Sequence, residues 1–193
     1  MSPTVRYLTH PQVLIEPLKD RRLWSLNSVG SSRVARLASR LGILKQTRHV
    51  ISSPETMALE TACPLSDALG TVVHSRARFC EIDRSATGFL RERELERMAA
   101  DFFSRPQKSI RGWETAVAAQ RRIIDEVDAS LDQRLNGDVL FVGHSVVGTL
   151  LLCSLSECPI DQVMCPEPGG GFWFEFDSQS RQLLCDWQPM EAL

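Results

Sequence analysis

Short runs of alternating or continuous apolar residues are interleaved with longer stretches in which apolar residues recur every three or four positions. Val5 to Thr9 is a short β-prone run. A helix is expected next, capped by Asn27 through its side-chain oxygen, with Val34, Leu37, Ala38 and Leu41 on one stripe and Gly42 at its end. His49 to Ser52 predicts a second strand and Thr71 to His74 a third. Between them, Pro54 starts a helix whose buried stripe is Met57, Ala58, Thr61, Ala62, Leu65 and Leu69, closed by Gly70. Residues 76–90 are irregular and polar. Glu92 to Phe103 predicts a charged amphipathic helix that stops before Pro106. Trp113, Val117, Ile124, Val127 and Leu131 then repeat at helical spacing, broken by Gln120. Val139 to Val142 is apolar throughout, as in a strand buried on both faces, and Gly148 to Leu155 predicts a buried helix. Phe172 to Phe176 and Gln182 to Trp187 flank a polar turn and predict a terminal β-hairpin.

This alternation predicts an α/β protein: a three-layer α/β/α sandwich around a mostly parallel sheet, with a C-terminal hairpin. At 193 residues one domain over 1–193 is expected, with 85–112 as a cap segment. No apolar run reaches the ~18 residues that span a bilayer, and the first residues lack a signal-peptide pattern. A cytoplasmic protein that binds no membrane is the expectation.

Charge changes the picture only when divided. Lys and Arg number 22 against 24 Asp and Glu, yet residues 1–50 carry a balance of +7 and the remainder −9. Most of these charges are expected on solvated helix faces; a sharper reading has the first fifty residues lining an anion site. A pI near 6.1 speaks against a nucleic-acid surface. Six cysteines show no CxxC pair, so reduced thiols are expected rather than a disulfide framework, a zinc site or a redox motif.

Two strands end in histidine, at His10 and His144, and parallel sheets place their sites beyond the carboxyl ends of strands. Gly143-His144-Ser145-Val146-Val147-Gly148 nearly spells a nucleophile elbow, but the glycine falls one residue late and no histidine follows the serine. Gly169 to Gly171 lack dinucleotide-loop spacing.

Four blocks in order carry a more specific likeness: the strand ending at His10 with Leu26 to Gly30 opening a helix; Ser52-Ser53-Pro54 followed by Ala58, Thr61 and Ala62; Phe79-Cys80-Glu81; and Val139 to Val147. Together they resemble the histidine phosphatase superfamily, the phosphoglycerate-mutase-like fold. The resemblance implies that His10 is a nucleophile forming a phosphohistidine, that Glu81 gives and takes the proton, and that His144 binds phosphoryl oxygens. It implies no cofactor and no metal, and a small phosphorylated or other anionic ligand as partner. Oligomeric state stays open.

Two departures stand out. The family's Arg-His-Gly reads Thr9-His10-Pro11, and Met57 stands where the second block has arginine. Those guanidiniums form the family's phosphate clamp. Losing two such donors without replacement costs on the order of a millionfold in rate. Lys19, Arg21, Arg22 and Arg84 are the candidate replacements, with Thr9, Met57 and Ser145 as further substrate-binding positions. Two functions follow: a divergent phosphomonoester hydrolase, with mutase chemistry less expected, or a ligand-binding or regulatory module that has lost phosphoryl transfer.

Overall fold

The computed structural model describes residues 2–133 and 136–193. Its sheet contains six strands: β1 (Thr4–Thr9), β2 (Thr47–Ser52), β3 (Val73–Ser75), β4 (Asp138–Gly143), β5 (Phe172–Asp177) and β6 (Leu183–Pro189). The spatial order is β3-β2-β4-β1-β5-β6. β1 to β4 pair in parallel, and β5 and β6 add an antiparallel edge. The expected sandwich with a terminal strand pair is present.

Period-two alternation decides what each face buries. Leu8, Val50, Leu140 and Val142 point to one side, where they pack with α1 (Ser28–Arg40) and α2 (Thr56–Leu69) through Val34, Leu37, Met57 and Leu65. Tyr7, Ile51, Val139 and Phe141 point to the other, against Ile123, Val127 and Leu152 of α4 (Ala116–Leu131) and α5 (Ser145–Leu155). A third cluster joins α3 (Glu92–Ser104), through Met98, Phe102 and Phe103, to Trp113 and to Leu150 of α5. Residues 85–112 thus carry α3 and are anchored by buried aromatics, while Phe89 stays 46% exposed against Trp24.

Several boundaries differ from the sequence pattern. Trp113 lies outside α4, whose buried stripe is Ala116, Ala119, Ile123 and Val127, with Val117 exposed. Thr115 caps that helix by accepting the Ala118 N–H, which ends its reach toward Trp113. Pro54 precedes α2 by two residues, and Pro64 sits inside it. Leu41, not Gly42, takes the left-handed cap of α1, where Asn27 accepts the Gly30 N–H as expected. The third strand is the short Val73–Ser75, and α5 begins at Ser145. All six cysteines are free, and Cys63 is exposed.

Candidate active site

The carboxyl ends of β1, β2 and β4 lie side by side, so His10, Ser53 and His144 emerge on one rim. The His10 N–H donates to the Gly143 carbonyl and the Ser53 N–H to that of Val142, each continuing the sheet ladder by one residue. Gly143 is required there, because a β-carbon would sit 2.3 Å from the Tyr7 hydroxyl. That hydroxyl donates to the His144 carbonyl and accepts the His144 N–H, both at 3.0 Å. The Gly169–Gly171 loop closes the opposite side. The Gly171 N–H donates to the His10 carbonyl, and Gly170, at φ +66°, passes so close that a β-carbon would meet that oxygen at 2.2 Å.

The His10 ring is held in one tautomer. Its Nδ1 lies 2.8 Å from the Pro11 carbonyl, which only accepts, so Nδ1 carries the hydrogen and Nε2 keeps its lone pair. Burial pushes the ring down to about 4, with the Arg21 charge adding to the fall and the Pro11 bond opposing it. The His10 imidazole is therefore neutral across the physiological range, with an unprotonated Nε2. The His144 ring lies 5.2 Å away at 71°, buried to 1% exposure. Burial, then the charges of His10, Arg21 and Arg122, hold it well below the usual histidine range. Its Nε2 is 2.8 Å from the Ser53 hydroxyl, which already accepts the Glu55 N–H. The hydroxyl can still either donate its hydrogen to Nε2 or accept one from it, so this contact orients the ring in either tautomer.

Two buried carboxyls share the pocket. Glu81 Oε1 accepts the N–H groups of Ile82 (3.0 Å) and Val147 (3.1 Å), and Oε2 that of Val146 (3.2 Å). Val146 and Val147 belong to the first turn of α5, whose orphan donors Glu81 thereby satisfies. Burial raises Glu81, while Arg21 and these three bonds oppose the rise. Glu55 Oε1 accepts the Glu81 N–H at 2.9 Å, and Oε2 stands 3.7 Å from His144 Nε2. Burial pushes Glu55 up to about 7; the Glu81 N–H opposes, the Glu81 charge adds, and Arg21 and Arg22 draw it down.

Of the candidate cations, Arg21 is the one whose charge reaches His10, Glu55, Glu81 and His144. Its guanidinium lies 5.6 Å from the Trp24 ring centroid. Arg22 pairs with Asp20 at the surface and Lys19 with Glu16. Arg84 stacks on Trp113 at 5.7 Å, with Nε buried and unpartnered. The Thr9 hydroxyl accepts the Phe172 N–H, fixing β5 rather than facing the pocket. Met57 is 1% exposed in the apolar cluster under β1 and β4. Ser145, half-buried, opens α5 and accepts the Thr149 hydroxyl on its carbonyl.

Most basic residues of the first segment lie on exposed faces, and two of the less exposed ones act as struts. Arg6 pairs with Asp138 and Glu175, and Arg33 ties Glu191, Gln12 and the carbonyls of Gly170 and Gly171. The sequence reading missed Glu55, although a carboxylate directly after Ser53-Pro54, between a strand end and an apolar helix stripe, was a signal. It also missed Arg122, which pairs with Glu114 and donates to the carbonyls of Arg78, Cys80 and Glu81, holding the segment that presents Glu81. Nothing local in sequence marks that arginine. Among the described residues no three His, Cys, Asp or Glu side chains are grouped to hold a metal ion, and no helix is long and apolar enough to cross a membrane.

The model of the histidine phosphatase superfamily (branch 1) matches residues 19–184, and the chain belongs to that family. The match starts beyond His10, where Thr9 and Pro11 break the family's first motif. No curated protein matches the sequence. Among solved structures, the mycobacterial glucosyl-3-phosphoglycerate phosphatase is 18% identical, with a TM-score of 0.80 over 97% of this chain and 99% of its own. YhfR of Bacillus stearothermophilus is 19% identical, with a TM-score of 0.77 over 94% of each chain. A putative α-ribazole-5′-phosphate phosphatase of Escherichia coli is 16% identical, with a TM-score of 0.72 over 98% of each. At these identities the likeness is one of fold. The mycobacterial phosphatase is also known in complexes with VO3 and with inorganic phosphate.

Proposed function

We propose that this protein hydrolyses phosphomonoesters through a phosphohistidine on His10. The observation that carries the reading is the locked tautomer: Nδ1 is committed to the Pro11 carbonyl, and Nε2, unprotonated, stands beside the His144 ring. The lone pair on Nε2 attacks phosphorus, the ester P–O bond breaks, and water later cleaves the P–N bond. The Arg21 guanidinium supplies the positive charge that the two missing arginines would have provided, and the neutral His144 ring contributes one N–H donor. One guanidinium in place of two predicts slow turnover. The relatives' small anionic ligands, phosphate and vanadate, are consistent with this pocket.

The test is acid-labile phosphohistidine trapping during turnover of a broad phosphomonoester panel. Label on His10, lost together with turnover in His10→Ala, is expected. A second reading, a ligand-binding module without phosphoryl transfer, draws on Met57, whose side chain is packed into the core where the clamp would need a cation. It predicts phosphate binding that survives His10→Ala and no phosphoenzyme at any pH.

A further inference from the structure

We infer that Cys153 and Cys158 form a peroxide-sensitive dithiol that closes reversibly into a disulfide at the C-terminal end of α5. The inference is independent of the phosphohistidine reading. It stands first on the backbone that ends the helix. The Cys158 N–H donates to the Cys153 carbonyl at 3.0 Å, and the Glu157 N–H to that of Ser154 at 3.1 Å. Glu157 takes the left-handed conformation, at φ 52°. Together these make a Schellman cap, in which the third residue from the helix end and the second beyond its cap bring their side chains into contact. Here both of those residues are cysteines. With Cys158 N held 3.0 Å from Cys153 O, covalent lengths keep the two α-carbons under about 7 Å, the limit for a bridge.

The side chains follow the backbone. Cys153 Sγ faces the Cys158 thiol and the Asp161 N–H. Cys165 lies against Thr149, one turn earlier on α5, and acts on Cys153 through charge alone. The two partners differ in access: Cys158 is half-buried and within reach of a small oxidant, whereas Cys153 is fully buried. Burial pushes Cys153 up to about 11, which keeps it protonated and slow toward peroxide. Cys158 therefore reacts first and Cys153 resolves. α5 starts beside His144, and the chain beyond Cys158 runs to the Gly169–Gly171 loop bonded to the His10 carbonyl. The bridge thus fastens the scaffold behind both histidines and uses no pocket residue.

The step balances with hydrogen peroxide as oxidant. The Cys158 thiolate attacks one peroxide oxygen, the O–O bond breaks, and the departing hydroxide takes up the thiol proton as water. Cys158 is left as a sulfenic acid. The Cys153 sulfur then attacks the Cys158 sulfur, the S–O bond breaks, and hydroxide leaves with the Cys153 proton as a second water. Two thiols plus one peroxide become one disulfide plus two waters.

Peptide mapping after peroxide treatment tests this, because cleavage before aspartate separates the neighbouring thiols. Residues 138–160 carry Cys153 and Cys158, and residues 161–176 carry Cys165. The first peptide is expected to be about 2 Da lighter and closed to alkylation until dithiothreitol is added. Further cleavage after Glu157 is expected to leave its two fragments joined. In Cys153→Ser the bridge is expected to vanish and dimedone to trap Cys158 as the sulfenic acid; Cys158→Ser is expected to leave Cys153 reduced. Should Cys153→Ser not fold by circular dichroism, Cys153→Ala is expected to give the same dimedone adduct. The bridged protein is expected to melt roughly 2–8 °C above the reduced one. Cys153 and Cys158 both staying open to alkylation while the exposed Cys63 oxidises, or a bridge joining the two peptides through Cys165, overturns the assignment. A bridged protein that melts no higher than the reduced one overturns the fastening of α5.

Discussion

Tyr7→Phe isolates what holds His144 in place. The ring is fully buried and stacked on Phe174 at 5.2 Å, so the substitution keeps shape and packing and removes one oxygen. That oxygen serves two backbone groups of His144, donating to its carbonyl and accepting its N–H. The carbonyl retains a second partner, the Gly148 N–H at 3.0 Å, and loses little. The N–H has no other acceptor among the described residues and is left buried and unpaired. An orphaned buried donor costs about 1–3 kcal/mol, and the carbonyl bond adds about 0.5–1. The expected loss is therefore about 1.5–4 kcal/mol. For a chain of this size it lowers Tm by roughly 4–10 °C. Urea unfolding should show a midpoint about 1 M lower at unchanged slope. Phosphate affinity should also fall, because the His144 ring loses its backbone anchor. A loss below about 0.5 kcal/mol, the ordinary spread of neutral substitutions, would refute the claim that this hydroxyl is the bracket of the second histidine.

Other consequences are open to measurement. Gly143→Ala places a methyl against the same hydroxyl at 2.3 Å and is expected to cost about 1–3 kcal/mol by overpacking, read by denaturation. Arg21→Met should weaken inorganic phosphate binding by roughly 10–100-fold in calorimetry, the value of one charge-assisted bond. Stability should depend on pH in two opposed ways. His10, held down to about 4, binds fewer protons folded than unfolded, so its contribution rises with pH between about 4 and 6.5. Glu55, held up to about 7, binds more protons folded than unfolded, so its contribution falls between about 4.5 and 7. His10→Asn should tilt the curve toward a decline with rising pH, and Glu55→Gln should tilt it toward a rise and raise stability at pH 8; parallel curves in all three proteins would contradict this. Arg122→Met, which frees three carbonyls and leaves Glu114 unpaired, should cost about 2–3 kcal/mol and slow turnover, checked by unfolding and kinetics.

What could be read from sequence follows a physical division. Strand periodicity and the histidines at two strand ends were legible because they are local: Leu8 and Val142 alternate with Tyr7 and Phe141 to bury opposite faces, and the next residue out must lie on the rim. Glu81 was legible as a member of a motif, yet its hydrogen bonds to α5 were not, since they join residues 65 apart in the chain. The excess of positive charge before residue 50 was visible, but its use was not. Arg6 and Arg33 are spent on Asp138, Glu175 and Glu191, far along the chain, while Arg21 is the one whose charge acts on both histidines and both buried carboxyls. Thr9 and Met57 were flagged for what they replace; where their side chains go depends on β5 and on the apolar layer beneath the sheet.

The position of β1 sets an order of events in the life of the chain. It precedes the other strands of the sheet in the chain, yet its neighbours there are β4 and β5; Arg6 and Asp138, which clasp across the β1–β4 seam, are 132 residues apart. During synthesis the segment bearing His10 has no partner in this sheet until β4 has emerged. A nascent chain therefore holds His10 without His144 beside it, and an apolar strand without cover. Assembly of the rim that carries both histidines therefore waits on one of the longest-range pairings in the sheet.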